Sequence, residues 1–121
     1  AIATVRAPGA RVRVVEAMNV SLASLLEGGP DREHAGEALT SLLMYLRPEY
    51  VWPERARDYT MDPDAARKFV GGRLKRIPSG SGGAVGQPTL ATAEKGRAIY
   101  EHILQKIRLK VFIAPPPDEE E

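Results

Sequence analysis

The chain has 121 residues, of which 43% are hydrophobic and 27% charged, the balance of one ordinary globular domain. It contains no cysteine, which excludes disulfides and a cysteine nucleophile, and no apolar run approaches the roughly 20 residues that span a bilayer. The formal net charge is +1, but the charges are unevenly distributed along the chain, because residues 65–113 carry ten basic and two acidic residues. Such a basic segment indicates either an anionic partner or a solvated basic helix face.

The first 29 residues predict a β-hairpin followed by a helix. β-branched residues lie on both sides of Pro8-Gly9, a turn dipeptide, so residues 3–15 favour two short strands. Four apolar side chains then recur at helical spacing between about residues 16 and 27: Met18, Leu22, Leu25 and Leu26. Gly28-Gly29-Pro30 is expected to end this helix.

Three helical segments are predicted next. Asp31 can cap a helix that runs to about Arg47, where Pro48 stops it. Its core stripe is predicted to be Leu39, Leu42, Leu43 and Leu46. Pro53 can begin a short helix, and the sequence "MDPD" predicts another over residues 63–77.

The remainder of the chain is predicted to be a glycine-rich loop, a last helix and a tail. Residues 78–91 hold too much glycine and proline for a helix. Thr92 can cap the last helix, with Glu94 in its first turn. Its apolar stripe is Ile99, Tyr100, Ile103, Leu104 and Ile107. Residues 114–121 form a proline-rich acidic tail that cannot build a core.

Two stretches, "PERARDYTMDPDAARKFVGGRLKRI" and "TLATAEKGRAIYEHI", resemble the winged helix-turn-helix superfamily, particularly the small MarR- and PadR-like regulators. Ala56 matches the central alanine of the family's short helix. The segment after the wing is matched by Leu90, Thr92, Lys95, Gly96 and Arg97. The resemblance covers about residues 38–113 and implies a recognition helix after "TMDPD", followed by a hairpin wing over residues 78–91.

The expected fold class is therefore mostly α with a small β component, winged helix-turn-helix-like, with an N-terminal β-hairpin and helix. Residues 1–113 are expected to form a single domain. Within it, residues 1–29 hold the N-terminal hairpin and helix, and residues 31–113 hold the winged-helix-like core. Residues 114–121 lie outside this domain.

The resemblance implies a non-enzymatic protein that binds double-stranded DNA, as a regulator or nucleoprotein component. The residues expected to contact the duplex are Asp64, Arg67, Lys68, Gly71, Lys75, Arg76, Lys95 and Arg97. A solvated basic face explains the same residues equally well. The apolar stripe of the last helix is the expected homo-oligomer interface: Ile99, Ile103 and Ile107.

No catalytic site, metal site or cofactor is expected from the residues. The loop "SGSGGAVG" lacks the Gly-Lys-Ser/Thr ending of a phosphate-binding loop. His34 and His102 are the only two histidines and lie in separate predicted helices, and His34 beside Glu33 is interpreted as a surface pair. Tyr50 and Trp52 are expected to pack beneath the short helix or, if exposed, to anchor a partner.

An alternative function is a small structural subunit of a multiprotein assembly such as a phage particle. In that case the termini and the glycine-rich loop would lie along neighbouring subunits. Either function places the chain in the cytoplasm, or within a virion under the alternative, with no membrane contact. The absence of cysteine fits a reducing compartment.

Overall fold

The computed structural model describes residue 9 and residues 14–28, 33–62 and 77–113. Helix α1 spans Glu37–Leu46, and helix α2 spans Ala93–Arg108 and continues into a π-helical turn, Leu109–Ile113. Three short 3₁₀ turns each begin with proline: Pro48–Tyr50, Pro53–Arg55 and Pro88–Leu90.

Helix α1 begins five residues later than a cap at Asp31 predicts. Its N-cap position is Gly36, which has no side chain to offer the first turn. Glu33 supplies the missing acceptor, since its Oε1 lies 2.6 Å from the Ala38 amide and 3.3 Å from the Leu39 amide. A carboxylate at this position satisfies unpaired N–H groups and complements the positive end of the helix. Asp31 lies outside the described residues.

Helix α2 begins at the predicted cap. Thr92 has extended backbone angles, and its hydroxyl accepts a hydrogen bond from the Lys95 amide at 3.1 Å. Glu94 lies in the first turn and Lys106 and Arg108 in the last, so the side-chain charges complement the helix dipole at both ends. The cap predicted from "LATAEKG" is confirmed.

The core lies between α1 and α2, which approach closely at a glycine. A Cβ atom added at Gly96 would overlap the Ser41 carbonyl and lie 2.8 Å from Cβ of Tyr45. Ser41 is fully buried at this contact, and its hydroxyl accepts from the Thr92 amide at 3.1 Å. The buried apolar cluster around this contact consists of Leu22, Ala38, Ile99 and Ile103.

The leucine stripe predicted for α1 does not form the core. Leu39 and Leu43 are each 41% exposed and Leu46 is 46% exposed, whereas Ala38 and Ser41 are buried. The close approach at Gly96 brings Ser41 of α1, rather than one of the leucines, against α2. Leu42 alone of the four packs against the buried cluster.

The helix predicted over residues 16–27 is absent. Residues 14–28 form turns, closed by hydrogen bonds from the Asn19 amide to the Glu16 carbonyl (3.0 Å) and from the Leu25 amide to the Leu22 carbonyl (2.8 Å). The apolar pattern nevertheless marks burial, because Leu22 enters the core and Leu25 and Leu26 pack against it. Tertiary packing has overridden the local helical spacing.

The winged helix-turn-helix fold class is wrong for the described residues, which contain no strand beyond isolated bridges. The segment expected to be a wing does not pair with itself. Val85 forms an antiparallel bridge with His34, and Gly86 forms one with Tyr59. Residues 1–8, 10–13 and 63–76 lie outside the described residues, and with them most of the predicted N-terminal hairpin and recognition helix.

No described helix is both long and apolar enough to cross a membrane. The domain boundaries expected at residues 29–31 and 113 stay predictions. Residues 14–28 and the two helices share one buried cluster through Leu22.

Candidate functional site

His34 lies just before α1, in a position that orients its imidazole ring. Its backbone pairs with Val85 through two hydrogen bonds, one from the His34 amide (2.9 Å) and one to its carbonyl (2.7 Å). Its Nδ1 lies 3.1 Å from the Gly83 carbonyl oxygen. A carbonyl only accepts, so Nδ1 carries the proton and Nε2 is left as the lone-pair nitrogen. The side chain is exposed, and Nε2 can therefore accept a proton or bind a ligand.

The backbone next to His34 is strained. Ala35 has φ of 49°, a left-handed conformation that residues with a side chain rarely adopt. A Cβ on the following Gly36 would lie 2.9 Å from the Val85 carbonyl oxygen and 2.7 Å from Cδ of Glu33. Such strain persists where surrounding contacts over-determine the backbone, and it concentrates at functional sites. Here those contacts are the paired segment containing Val85 and the capping side chain of Glu33.

An ion pair between Glu37 and Lys95 joins three parts of the chain. Glu37, which is 1% exposed, accepts a hydrogen bond from Lys95 Nζ at 2.7 Å. Its two carboxylate oxygens also accept from the amides of Glu27 (3.0 Å) and Gly28 (2.7 Å). The Lys95 ammonium donates in addition to the Leu90 carbonyl at 2.7 Å and lies 3.1 Å from a carboxylate oxygen of Glu27. The first turn of α1, the 27–28 segment and the start of α2 are thereby fastened together.

Both members of this pair are ionised. Burial opposes ionisation of Glu37, but its hydrogen bonds from Glu27, Lys95 and Gly28 together outweigh it and hold the pKa of its carboxyl below the ordinary value. The hydrogen bond to Glu37 raises the pKa of Lys95, and burial only partly offsets it. A satisfied, buried pair of this kind positions backbone and leaves no proton free for chemistry.

Glu33 is the second carboxylate near His34. Burial raises its pKa, while the amides of Ala38 and Leu39 partly offset this and the negative charge of Glu37 adds to it. One of its oxygens caps α1. The sequence interpretation of His34 and Glu33 as a surface pair misses this arrangement, because Glu33 bonds to the helix and His34 to the glycine-rich loop.

A cavity of about 550 Å³ opens beside this segment. It is lined by Ala35 and Thr40 and by Gly82 and Ala84 of the loop that holds His34. The segment after α1 also lines it and supplies Tyr50, Trp52, Arg55 and Arg57. The volume is that of a small-molecule site.

The structure gathers few of the residues expected to bind DNA. Six of them lie outside the described residues: Asp64, Arg67, Lys68, Gly71, Lys75 and Arg76. Lys95 forms the buried ion pair with Glu37. Arg97 donates to Glu101 at 2.9 Å on the exposed face of α2.

The stripe expected to mediate oligomerisation faces the interior of the same chain. Ile99 is fully buried, Ile103 is 7% exposed, and Ile107 packs against the cluster that they form. An oligomer interface through these side chains stays a prediction.

The described residues do not contain a cluster of three or more His, Cys, Asp or Glu that fits a metal ion. His34 offers one nitrogen, with the second ring nitrogen held by a carbonyl in the way that oriented metal ligands are. Its neighbour Glu33 is occupied in capping. The described part of the chain therefore does not fit a complete metal centre.

Comparison with known proteins gives one match. Residues 3–110 match a protein-family model described as Creatininase: Creatinine amidohydrolase. No curated protein and no solved structure matches the chain. The family match overturns the resemblance to winged helix-turn-helix regulators and, with it, the expected DNA-binding role, the structural or phage subunit and the expectation that the chain is not an enzyme. The motif "TLATAEKGR" misled because a Thr-capped helix with an early glycine occurs in unrelated folds.

Proposed function

Because the chain belongs to the creatininase family, we propose that it takes part in the hydrolysis of a small amide, with His34 as the proton-transferring residue. The observation that carries the proposal is the orientation of His34. Its Nδ1 is held 3.1 Å from the Gly83 carbonyl and its exposed ring leaves Nε2 as the basic nitrogen. A histidine held in this tautomer is suited to general acid–base catalysis.

The chemistry assigned to His34 balances within one turnover. Its Nε2 takes a proton from water as the water oxygen attacks the amide carbonyl carbon. The carbon–nitrogen bond then breaks, and Nε2 returns the proton to the leaving nitrogen. The products are a carboxylic acid and an amine, the acid passes its proton to the amine or to solvent, and the imidazole regains its starting state.

The surrounding contacts support this role by fixing where the ring lies. Val85 forms hydrogen bonds with both the amide and the carbonyl of His34. The Glu37–Lys95 pair fixes the first turn of α1, which follows His34. Preorganised groups of this kind lower the cost of reaching the transition state. Many amidohydrolases also activate water with a metal ion, but the described residues do not provide the ligand set, so no step is assigned to a metal.

The test is hydrolysis of creatinine and of related small cyclic amides by the full chain and by His34→Gln. Glutamine retains an N–H that can donate to the Gly83 carbonyl but cannot transfer a proton. Activity is expected to fall about 100- to 10,000-fold, the usual contribution of general acid–base catalysis.

His102→Gln is the matched control, since it removes the second histidine of the chain from a position within α2. It should keep the activity of the wild-type chain. Wild-type protein that opens none of these amides, or His34→Gln protein that is fully active, would contradict the proposal.

A further inference from the structure

We infer that the 550 Å³ cavity beside α1 is a binding site for a small planar carboxylate, such as an aromatic acid. Two aromatic and two arginine side chains line this cavity: Tyr50, Trp52, Arg55 and Arg57. Its existence as a ligand site does not depend on the reaction proposed for His34.

The aromatic side chains of the cavity are exposed in a way that ordinary packing does not explain. Tyr50 is 63% exposed and Trp52 is 53% exposed. A smaller cavity of about 230 Å³ lies beside this cavity and is lined by Leu39 and Leu43, each 41% exposed. Large apolar side chains clustered around a concavity are typical of ligand sites, because a ligand removes their surface from water.

The charge of the cavity selects the ligand. The Arg55 guanidinium stacks over the Trp52 ring, with 5.5 Å from its carbon to the ring centroid. Arg57 is oriented by hydrogen bonds from its Nη1 to the carbonyls of Glu54 (3.1 Å) and Ala56 (2.7 Å). Neither arginine forms a salt bridge with a carboxylate among the described residues.

Among the described residues, each of these guanidinium groups keeps N–H donors that can bind an anion. Arginine presents a planar fork of donors that matches a carboxylate through two parallel hydrogen bonds. A stack on an aromatic face holds that fork in a fixed plane. The exposed faces of Tyr50 and Trp52 favour a flat group attached to the carboxylate, since flat rings stack on aromatic surfaces. The geometry thus specifies both ends of the ligand.

Trp52 is the single tryptophan of the chain, so tryptophan fluorescence reports on this cavity and on the smaller cavity beside it. The experiment titrates the full chain with benzoate and, separately, with benzamide, which has nearly the same shape but no charge. Benzoate should change the Trp52 emission in a saturable manner and bind at least tenfold more tightly than benzamide, as expected for a charge-assisted hydrogen bond.

The variants Arg55→Gln and Arg57→Gln should each weaken benzoate binding about tenfold while leaving benzamide unaffected. The matched control is Arg108→Gln at the end of α2, which does not line the cavity. Because Arg55 contacts the fluorophore itself, amide chemical shifts of Gly82 and Ala84 serve as a second readout of occupancy.

Equal affinities for benzoate and benzamide would overturn the inference, and so would equal losses in Arg55→Gln and Arg108→Gln. The outcome is separable from that of the proposed hydrolysis. Benzoate binding that persists in His34→Gln protein supports the cavity whether or not the chain hydrolyses amides, whereas amide hydrolysis without benzoate binding would remove the cavity assignment alone.

Discussion

At the scale of single residues, Glu37 has the most demanding environment of the charged groups in the described structure. It is 1% exposed and carries a negative charge that Lys95 and two backbone amides compensate. Burying an ionised group is costly unless it is paired and hydrogen-bonded. Removal of one partner therefore leaves the other as an uncompensated buried charge, which destabilises the fold.

Replacement of Glu37 by Gln should therefore lower the free energy of unfolding by about 3 kcal/mol, the lower end of the cost of breaking a buried pair, since Lys95 keeps its contacts with Glu27 and Leu90. Urea unfolding followed by circular dichroism measures this. Glu101→Gln, which removes the exposed partner of Arg97, is the control and should leave stability nearly unchanged.

The same carboxylate predicts an acid dependence of stability. The pKa of Glu37 is lowered on folding, so its contribution is fully present above the ordinary value of 4.5 and is lost as pH falls through the folded pKa. The difference in unfolding free energy between wild type and Glu37→Gln should shrink over that range. A difference that stays constant from pH 7 to well below 4.5 would contradict the assignment.

Glu33 should act in the opposite direction, because burial raises its pKa. Its contribution to stability is larger at low pH and declines as pH rises through the folded pKa. Glu33→Gln retains a side-chain oxygen to cap α1 but removes the titration. This variant should lose stability more steeply on acidification than the wild type does, as measured by urea unfolding at a series of pH values.

At the scale of elements, the contact between α1 and α2 depends on a residue without a side chain. Gly96→Ala places a methyl group against the Ser41 carbonyl and Tyr45. Overpacking of this kind should cost about 2–3 kcal/mol in the free energy of unfolding. Thermal unfolding provides the measurement.

Gly80→Ala is the matched control for Gly96→Ala. Gly80 has φ of 90° and no atom within 4 Å of an added Cβ, so only backbone strain applies and the cost should be about 1 kcal/mol. If the two variants proved equally stable, the close approach of the helices would be wrong.

The start of α2 depends on the Thr92 hydroxyl. Thr92→Ala should lower the free energy of unfolding by about 1 kcal/mol, because the Lys95 amide loses its acceptor. Thr92→Ser keeps the hydroxyl and should restore nearly all of the stability. Comparison of the two midpoints in urea separates the cap from any effect of side-chain size.

At the scale of the whole molecule, the glycine-rich segment connects distant parts of the chain. The amide of Val85 donates to the His34 carbonyl (2.7 Å), and the amide of Gly86 donates to Tyr59 (2.8 Å). Asp58 adds a further connection by accepting from the amide and hydroxyl of Thr89 at 3.0 and 2.6 Å. This segment is thereby part of the scaffold that orients His34.

Hydrogen exchange should show this directly. The amides of His34, Tyr59, Val85 and Gly86 should exchange slowly and at similar rates, since their bridges open together. The exposed amide of Gly82 should exchange much faster. Rapid exchange at Val85 and Gly86 would contradict the bridged arrangement and would leave His34 without its support.

The sequence alone determined features that depend on neighbouring residues. The helical turn that begins at Pro53, the Thr92 cap and the burial of Ile99 and Ile103 are where the sequence predicts them, whereas Tyr100 and Leu104 of the same predicted stripe are exposed. The end of α1 just before Pro48 follows for the same reason. Steric and capping rules act over a few residues and can be recognised without knowing the fold.

The tertiary structure decided which face of α1 is buried, that residues 14–28 form turns, and that His34 meets Gly83. Those outcomes depend on contacts such as Gly96 with Ser41 and Lys95 with Glu37, whose members are more than 50 residues apart. The spacing of leucines within α1 predicts an apolar face. It does not show that Gly96, a distant residue, packs against Ser41 and so buries a different face of the helix. The position of the site is therefore a property of long-range packing, and no short stretch of the chain contains it.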